Sequence, residues 1–240
     1  MGSYFFLANL LPPMPAELGD EFSVSFADIS LIIKRNIEYD DVPLVDLSLM
    51  FVDTRNFESH LQGWDIFLPG GTLSRDQLSQ ERELPFFMRA FLAENERRER
   101  RGYVYDGLWE RYFAYSYSLA AEMGCSFLVG YLSWEIRLRN SLAALRARGT
   151  GEDAQNYQML PWVGSLNLTP ILHELNPEKG PVSIEKFLDQ ERLKSIYEHE
   201  GVDPFSRNAI LAYLERSRIF SRWYGVYESF DLENIIASGG

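Results

Sequence analysis

Few of the side chains that carry enzyme chemistry stand at productive spacings in this sequence. The three histidines are far apart along the chain. The segment HEL at 173–175 resembles the start of a helical zinc motif, but Pro177 stands where the second histidine is needed. The segment YEHE at 197–200 is interpreted as the polar end of a helix. The sequence therefore predicts no metal site and no cofactor.

The motifs of nucleotide binding and of nucleophilic catalysis are also missing. The segment LPGGTLS near residue 70 lacks the lysine and the spacing of a phosphate-binding loop, and no Gly-x-Ser-x-Gly turn occurs. Cys125 lies in an apolar stretch, which indicates a buried and inert thiol. Carboxylate pairs such as Glu81 and Glu83 arise by chance among 35 acidic residues. We expect no enzyme activity; a hydrolase that uses a carboxylate pair stays an alternative.

A cluster of arginines in the segment WEIRLRNSLAALRARG is unusual because the formal net charge of the chain is −12. Its members are Arg137, Arg139, Arg146 and Arg148. One explanation is local: the last two complement the dipole at a helix end, and Arg139 pairs with Glu135 four residues earlier. The other is that the cluster docks an acidic surface of a partner. The local explanation leaves Arg137 without a role, and both explanations stay open.

Charge elsewhere in the chain excludes some partners. The excess of 35 acidic over 23 basic residues argues against nucleic-acid binding, which needs a basic face. The segment NERRERR at 95–101 alternates in sign. We interpret it as a solvated helix face with local ion pairs rather than as a site for phosphate or for an acidic partner.

The arginine cluster lies at the end of the strongest helical signal in the chain. Apolar side chains recur about every 3.7 residues from Leu108 to Leu145, close to the helical period of 3.6. This pattern predicts one very long helix over residues 106–149. Such a helix would exceed 60 Å at about 1.5 Å per residue, so we expect it to bend. Gly124 and Gly130 are candidates for the bend or for a close helix contact.

Part of this stretch is long enough to cross a membrane. Residues 112–134 contain a single charge, Glu122, near the middle. A charge there costs about 2.5–3.5 kcal/mol on insertion, so we interpret the stretch as a helix buried in a soluble bundle.

The N-terminus lacks the basic region and the cleavage pattern of a signal peptide. A single cysteine fits a reducing cytosol.

The rest of the chain also reads mainly as helix. Apolar spacing and capping residues predict further helices over 26–36, 43–62, 79–101, 183–200 and 205–224. A short strand over 4–11 is predicted to be stopped by the prolines that follow it. The expected fold is mainly α: one helical domain over 1–240, built as an elongated multi-helix bundle.

An Arg-Asn pair followed five residues later by an apolar side chain occurs on three of the predicted helices. The pairs lie at 55–56, 139–140 and 207–208. Chance can produce such an echo in a chain of this length; as a true repeat, it would indicate a fold built from repeated helical modules.

Two of these segments carry a family resemblance. FVDTRNFESHL and WEIRLRNSLAALRARG resemble the acidic-x-x-Asn and Asn-…-Leu-Arg-Ala-Arg/Lys-…-Gly helices of the C subunit of V-type and archaeal-type ATP synthases, whose vacuolar counterpart is subunit d. The opening SYFFLANLLPP and the closing run from DPFSRNAILAYLERSRIF onward are similar to shorter bacterial proteins encoded with V-type ATPases. This sequence departs from the family pattern in that Arg137 stands where the acidic residue before Asn140 is expected, and the chain is shorter than standard C subunits.

The resemblance implies a non-catalytic coupling subunit. Such subunits cap the membrane rotor ring and receive the foot of the central stalk, and they use no cofactor. The implied partners are other V-type ATPase subunits, and the implied location is cytoplasmic, peripheral to the membrane through the complex. The arginine cluster would then dock an acidic stalk or ring neighbour. The alternative is a stand-alone helical adaptor or regulator with the same fold.

Overall fold

Helices make up the regular structure of the protein. The structure, a computed structural model, describes residues 3–95 and 105–229, and within these ranges no strand is formed. The helices are α1 (Phe5–Leu10), α2 (Phe26–Asn36), α3 (Val42–Leu61), α4 (Arg75–Leu78), α5 (Phe86–Asn95), α6 (Asp106–Glu122), α7 (Ser126–Thr150), α8 (Pro181–His199) and α9 (Arg207–Ser229). The predicted mainly α class is confirmed.

The predicted N-terminal strand over 4–11 is wrong, because this segment forms helix α1. The backbone nitrogen of Ala8 donates to the carbonyl of Tyr4 at 2.8 Å, as in a helical turn. Tyr4 and Leu7 are buried, whereas Phe5 and Phe6 face outward. A short apolar run before prolines is equally compatible with a strand or a helix, and α1 packs on α2 rather than on a sheet.

The predicted helix over 106–149 is two helices, α6 and α7. The chain reverses at Gly124, whose φ of +60° is a left-handed conformation that glycine adopts without strain. Gly130 has the other predicted role, a close contact: a Cβ atom at this position would lie 2.1 Å from Cδ2 of His199. Apolar periodicity continues across the reversal because both helices face the same core.

The predicted helix over 79–101 is also shorter than expected. A 3₁₀ turn over Glu81–Glu83 precedes Pro85, and α5 begins only at Phe86. Proline lacks the backbone donor that a continuous helix requires. The NERRERR segment falls almost entirely in residues 96–104, outside the described residues.

Helix α6 lies between α3 and α7 and runs antiparallel to both. Trp109, near the start of α6, donates its Nε1 proton to Glu58 near the end of α3 at 3.1 Å. One turn later, the Tyr112 hydroxyl donates to the Leu47 carbonyl, near the start of α3, at 3.1 Å. Trp109 also contacts Arg139, in the second half of α7. Consequently α3 and α7 are parallel, and both finish at one end of the bundle, here called the loop end. The opposite end, where α6 turns into α7, is the hairpin end.

Two groups of apolar side chains form the interior. The larger extends from α1 to α9 and includes the fully buried Phe57, Phe113 and Phe127. The smaller is centred on Leu138 and packs the second half of α7 against α8 and the segment between them. Of the helices in residues 3–95 and 105–229, none combines the length and the apolar character needed to cross a membrane.

Candidate functional site

The arginine cluster of α7 divides into one internal residue and three surface residues. Arg139 is half-buried, and its Nε donates to Oε1 of Glu135 at 2.8 Å. Its guanidinium carbon lies 5.0 Å from the Trp109 ring centroid and 5.1 Å from that of Phe113. The pairing with Glu135 proposed from sequence is therefore present, and Arg139 holds α6 and α7 together instead of facing a partner.

Glu135 is only 4% exposed and accepts from a second arginine, on α8. Nε of Arg192 donates to Oε2 of Glu135 at 3.0 Å. Burial alone would raise the pKa of Glu135. The charges of Arg192 and Arg139 and their hydrogen bonds outweigh this effect and lower the pKa from 4.5 to about 2. The carboxylate is thus ionised at neutral pH, and both of its oxygens are bound.

The ionic links continue from α8 to α9 through Asp189, which is 2% exposed. Nη1 of Arg192 donates to Oδ1 of Asp189 at 2.8 Å. The other oxygen, Oδ2, accepts from Nε1 of Trp223 at 2.6 Å and from Arg222. Buried charges are tolerated when paired and hydrogen-bonded, and these links join α7, α8 and α9.

The remaining arginines of the cluster are exposed. Within the described ranges, Arg137, Arg146 and Arg148 form no ion pair. Arg137 and Arg148 are eleven residues apart, about three helical turns, so they share one face of α7. Arg146 shares the face of Arg139 instead. The charges of Arg139 and Arg146 partly oppose the rise in the pKa of Asp106 that burial and Glu58 cause.

Asn56, in the second half of α3, holds the segment that follows that helix. Its Oδ1 accepts from the Leu68 backbone nitrogen at 2.7 Å, and its Nδ2 donates to the Leu68 carbonyl at 2.8 Å. One turn earlier, Asp53 accepts from the backbone nitrogens of Thr72 at 2.9 Å and Leu73 at 3.0 Å. Burial raises the pKa of Asp53, and the hydrogen bonds from Thr72 and Leu73 oppose that rise.

Asn140 does the same on α7. Its Oδ1 accepts from the Met159 backbone nitrogen at 2.8 Å, and its Nδ2 donates to the carbonyls of Met159 at 2.8 Å and Gly164 at 3.0 Å. The neighbouring Ser141 hydroxyl bonds both backbone groups of Leu166. Each asparagine thus binds the N–H and the C=O of one residue in the following segment, an arrangement here called an asparagine clamp. The two clamps lie on parallel helices near the loop end.

The clamped segments expose large apolar side chains, two of them tryptophans. Trp64 is 48% and Ile66 54% exposed in the first segment, and Trp162 is 75% exposed in the second. Sequence reasoning did not single out these tryptophans. Their positions could have indicated them, because each tryptophan lies in the segment that follows a helix with an Arg-Asn pair. With Arg146 and Arg148 at the end of α7, they form the candidate contact surface of the loop end.

The third Arg-Asn pair acts differently, at the hairpin end. Asn208 donates to the Ser126 hydroxyl at 3.0 Å and accepts from the Cys125 thiol, 3.7 Å away. Arg207 donates to the carbonyls of Met123 at 3.0 Å and Gly124 at 2.7 Å. These contacts fix the α6–α7 reversal. Burial raises the pKa of Cys125, which keeps the thiol protonated.

The described part of the chain contains no group of three His, Cys, Asp or Glu side chains that could hold a metal ion. The carboxylates and arginines of the interior are bound to one another and to backbone groups, an arrangement suited to holding helices together.

Comparison with known families finds a match over most of the chain. The family model described as "Protein of unknown function (DUF2764)" matches residues 1–177. No curated protein matches the sequence.

Proposed function

The chain belongs to the DUF2764 family, and we propose that this member is a non-catalytic coupling subunit of a V-type ATPase, joining the central stalk to the membrane rotor ring. The observation that carries the proposal is the pair of asparagine clamps. The two segments that resemble C-subunit helices are those that contain Asn56 and Asn140. In the fold these two residues occupy equivalent positions and bind their following segments in the same way. A fold built from repeated helical modules would have this property.

The interior also suits a part that carries torque. Glu135, Arg192 and Asp189 link α7, α8 and α9, while Arg139 stacks on Trp109 of α6. Separating one partner of a buried ion pair costs about 3–5 kcal/mol. Helices linked in this way cannot shift relative to one another without leaving a buried charge unpaired.

The surface offers contact regions at the loop end. Trp162 and Trp64 are held on clamped backbone, and exposed aromatic residues are frequent anchors of protein interfaces. Arg146 and Arg148 at the loop end, and Arg137 near the middle of α7, are exposed and available to an acidic neighbour, whereas Arg139 is not. The docking group expected from sequence is accordingly narrowed to Arg137, Arg146 and Arg148.

A tagged copy expressed from its native locus tests the proposal. After mild detergent extraction, we expect it to purify with the stalk and ring subunits of a V-type ATPase. Deleting the gene should abolish ATP-driven ion transport while ATP hydrolysis by the detached catalytic head persists. The isolated chain should hydrolyse no ATP.

Two results would contradict the proposal. One is purification of the tagged chain without ATPase subunits while those subunits assemble normally in its absence. The other is intact ion transport in the deletion strain. Recovery with a different protein assembly would favour the stand-alone adaptor.

A further inference from the structure

We propose that Trp162 and Arg137 together anchor the protein partner of this chain, which receives them in an apolar pocket with carboxylates at its rim. The two residues belong to the second asparagine-clamped segment and to the face of α7 that this segment covers. The chemistry of the pocket follows from the surface that faces it. Only the identity of the partner, a stalk or ring subunit, rests on the proposed function.

The segment that carries Trp162 is uncharged, in a chain that is strongly acidic overall. Residues 154–172 contain no Asp, Glu, Lys, Arg or His, although the net charge of the chain is −12. The face of α7 that bears Ser141 adds two exposed charges, Arg137 and Arg148. Neither arginine forms an ion pair with a residue of the described ranges. Unpaired positive charge beside an uncharged surface favours a partner that presents carboxylates.

Arg137 lies next to the segment that carries Trp162. The Ser141 hydroxyl donates to the Arg137 carbonyl at 2.8 Å and accepts from the Leu166 backbone nitrogen at 2.7 Å. One side chain thereby joins the backbone of Arg137 to that of Leu166, four residues after Trp162. Because the guanidinium and the indole are both exposed, one partner can contact them at the same time.

The turn before Trp162 is held in a strained conformation. Leu160 has a φ of +43°, in the left-handed region that residues with a side chain rarely adopt, and its side chain is buried. Its backbone nitrogen donates to Oε1 of Glu110 at 3.3 Å, and the Asn140 amide binds Met159 just before it. Such strain persists where surrounding contacts enforce it. The direction of Trp162 is therefore set before a partner arrives, which reduces the entropy lost on binding.

Trp162 is the more prominent of the two tryptophans on the clamped segments. It is 75% exposed, against 48% for Trp64. Its Nε1 proton has no acceptor in the part of the chain that the structure describes, whereas a buried tryptophan usually donates this proton. A partner that buries the ring must therefore supply an apolar pocket and an acceptor at its edge. A carboxylate at the rim would accept the indole proton, and a second would pair with Arg137. Tryptophan and arginine are the residues most enriched at the centres of protein interfaces.

Photocrosslinking in the native cell tests the proposal with the full chain. Trp162→p-benzoylphenylalanine should cross-link to apolar residues of one protein, in a pocket that has carboxylates at its rim. Adding Arg137→Glu should lower the yield of the cross-link about tenfold. The matched change Arg35→Glu, on an exposed arginine of α2, should leave the yield unchanged. Changing the mapped carboxylate to lysine should restore the cross-link of the Arg137→Glu chain, because both charges of the pair are then reversed.

Purified variants separate the anchors from the turn that presents them. For binding to the cross-linked protein, Trp162→Ala should raise Kd about tenfold or more, and Trp64→Ala less than about threefold. Asn140→Ala frees the turn without altering either anchor and should raise Kd about threefold to tenfold, because the turn must then be ordered on binding. The matched change Asn56→Ala, in the first clamp, should leave Kd unchanged. Thermal melts establish that the variants are folded.

The outcomes separate this proposal from the proposed function. A cross-link to a stalk or ring subunit supports both, and a cross-link to another protein with the same pocket chemistry supports this proposal alone. Co-purification with ATPase subunits without a cross-link from position 162 would overturn this proposal and leave the proposed function intact. A cross-linked surface without carboxylates, or no rescue by the reversed charge, would also overturn it. Binding to anionic vesicles, or self-association, that Trp162→Ala abolishes would show instead that a membrane or a second copy covers this surface.

Discussion

The guanidinium of Arg139 lies over the indole of Trp109, and the same indole donates a hydrogen bond to Glu58. A residue of α7 is thereby linked to a residue of α3 through one side chain of α6. Arg139 directly precedes the clamp residue Asn140, and Glu58 lies two residues after the clamp residue Asn56. The Arg139 guanidinium, the Trp109 indole and the Glu58 carboxylate thus form a bridge between α7 and α3. This bridge keeps the two clamp residues side by side along the bundle axis.

This bridge predicts a contrast between two neighbouring arginines. Arg139→Leu should lower the free energy of unfolding by about 2–3 kcal/mol, because Glu135 stays buried with only one of its two arginines. Arg137→Leu, on the exposed face, should change it by about 0.5 kcal/mol or less. Urea denaturation of both variants measures the difference. Equal effects would show that the buried pairing contributes nothing to stability.

The exposed arginines predict a salt-dependent assembly defect. If the chain has the proposed coupling function, Arg137→Glu with Arg148→Glu should leave the thermal melt normal but weaken co-purification with ATPase subunits. The loss should grow as salt is lowered, since the reversed charges repel an acidic neighbour and screening falls. The matched control is Arg35→Glu with Arg89→Glu, two exposed arginines on α2 and α5. Normal co-purification of the first variant at both salt concentrations would eliminate the docking role.

Glu135 predicts a loss of stability in acid. Its folded pKa of about 2 lies below the value of 4.5 for an unperturbed glutamate. The unfolded chain therefore takes up the proton first, and the free energy of unfolding falls as the pH falls from about 4.5 towards 2. The full effect of this group is about 3 kcal/mol.

The Glu135→Gln variant isolates this contribution from the other carboxylates. Asp53, whose pKa burial raises, works in the opposite direction in both proteins and therefore cancels. The difference in stability between the wild-type chain and the variant should narrow as the pH falls below 4.5. Parallel stability curves over this range would contradict the assignment of a lowered pKa to Glu135.

The asparagine clamps predict independent loosening of two segments. Asn56→Ala should speed hydrogen exchange at the Leu68 backbone amide and lower stability by about 1–3 kcal/mol, because the Leu68 N–H and C=O lose the two hydrogen bonds that the buried Asn56 amide makes. Exchange at Met159 should not change. Asn140→Ala should give the reverse pattern. Each variant is the control for the other, and equal acceleration at both amides in either variant would mean that the whole bundle opens together.

Helix positions were largely predictable because local chemistry marks them. The starts of α2, α3, α8 and α9 were predicted to within two residues. The Ser25 side chain accepts from Asp28 at the start of α2, and proline occupies the first turn of α3 and α8. Capping and proline act through neighbouring residues, so sequence alone reveals them.

Features that depend on distant parts of the chain were not predictable in this way. The reversal at Gly124 and the helical form of residues 5–10 are decided by what these segments pack against. Arg139 and Arg137 look alike in sequence, and only the position of α6 places one against Trp109 and the other in solvent. The clamps were visible as an Arg-Asn echo, but the residues they hold were not.

An asparagine amide recognises a peptide group rather than a side chain, and this has an evolutionary consequence. Leu68 lies 12 positions after its asparagine and Met159 lies 19 after its own, yet both are bound alike. Insertions, deletions and substitutions between clamp and target can therefore accumulate without disturbing the helices. The segments that the two clamps hold are thus free to change in sequence and length on a constant helical framework.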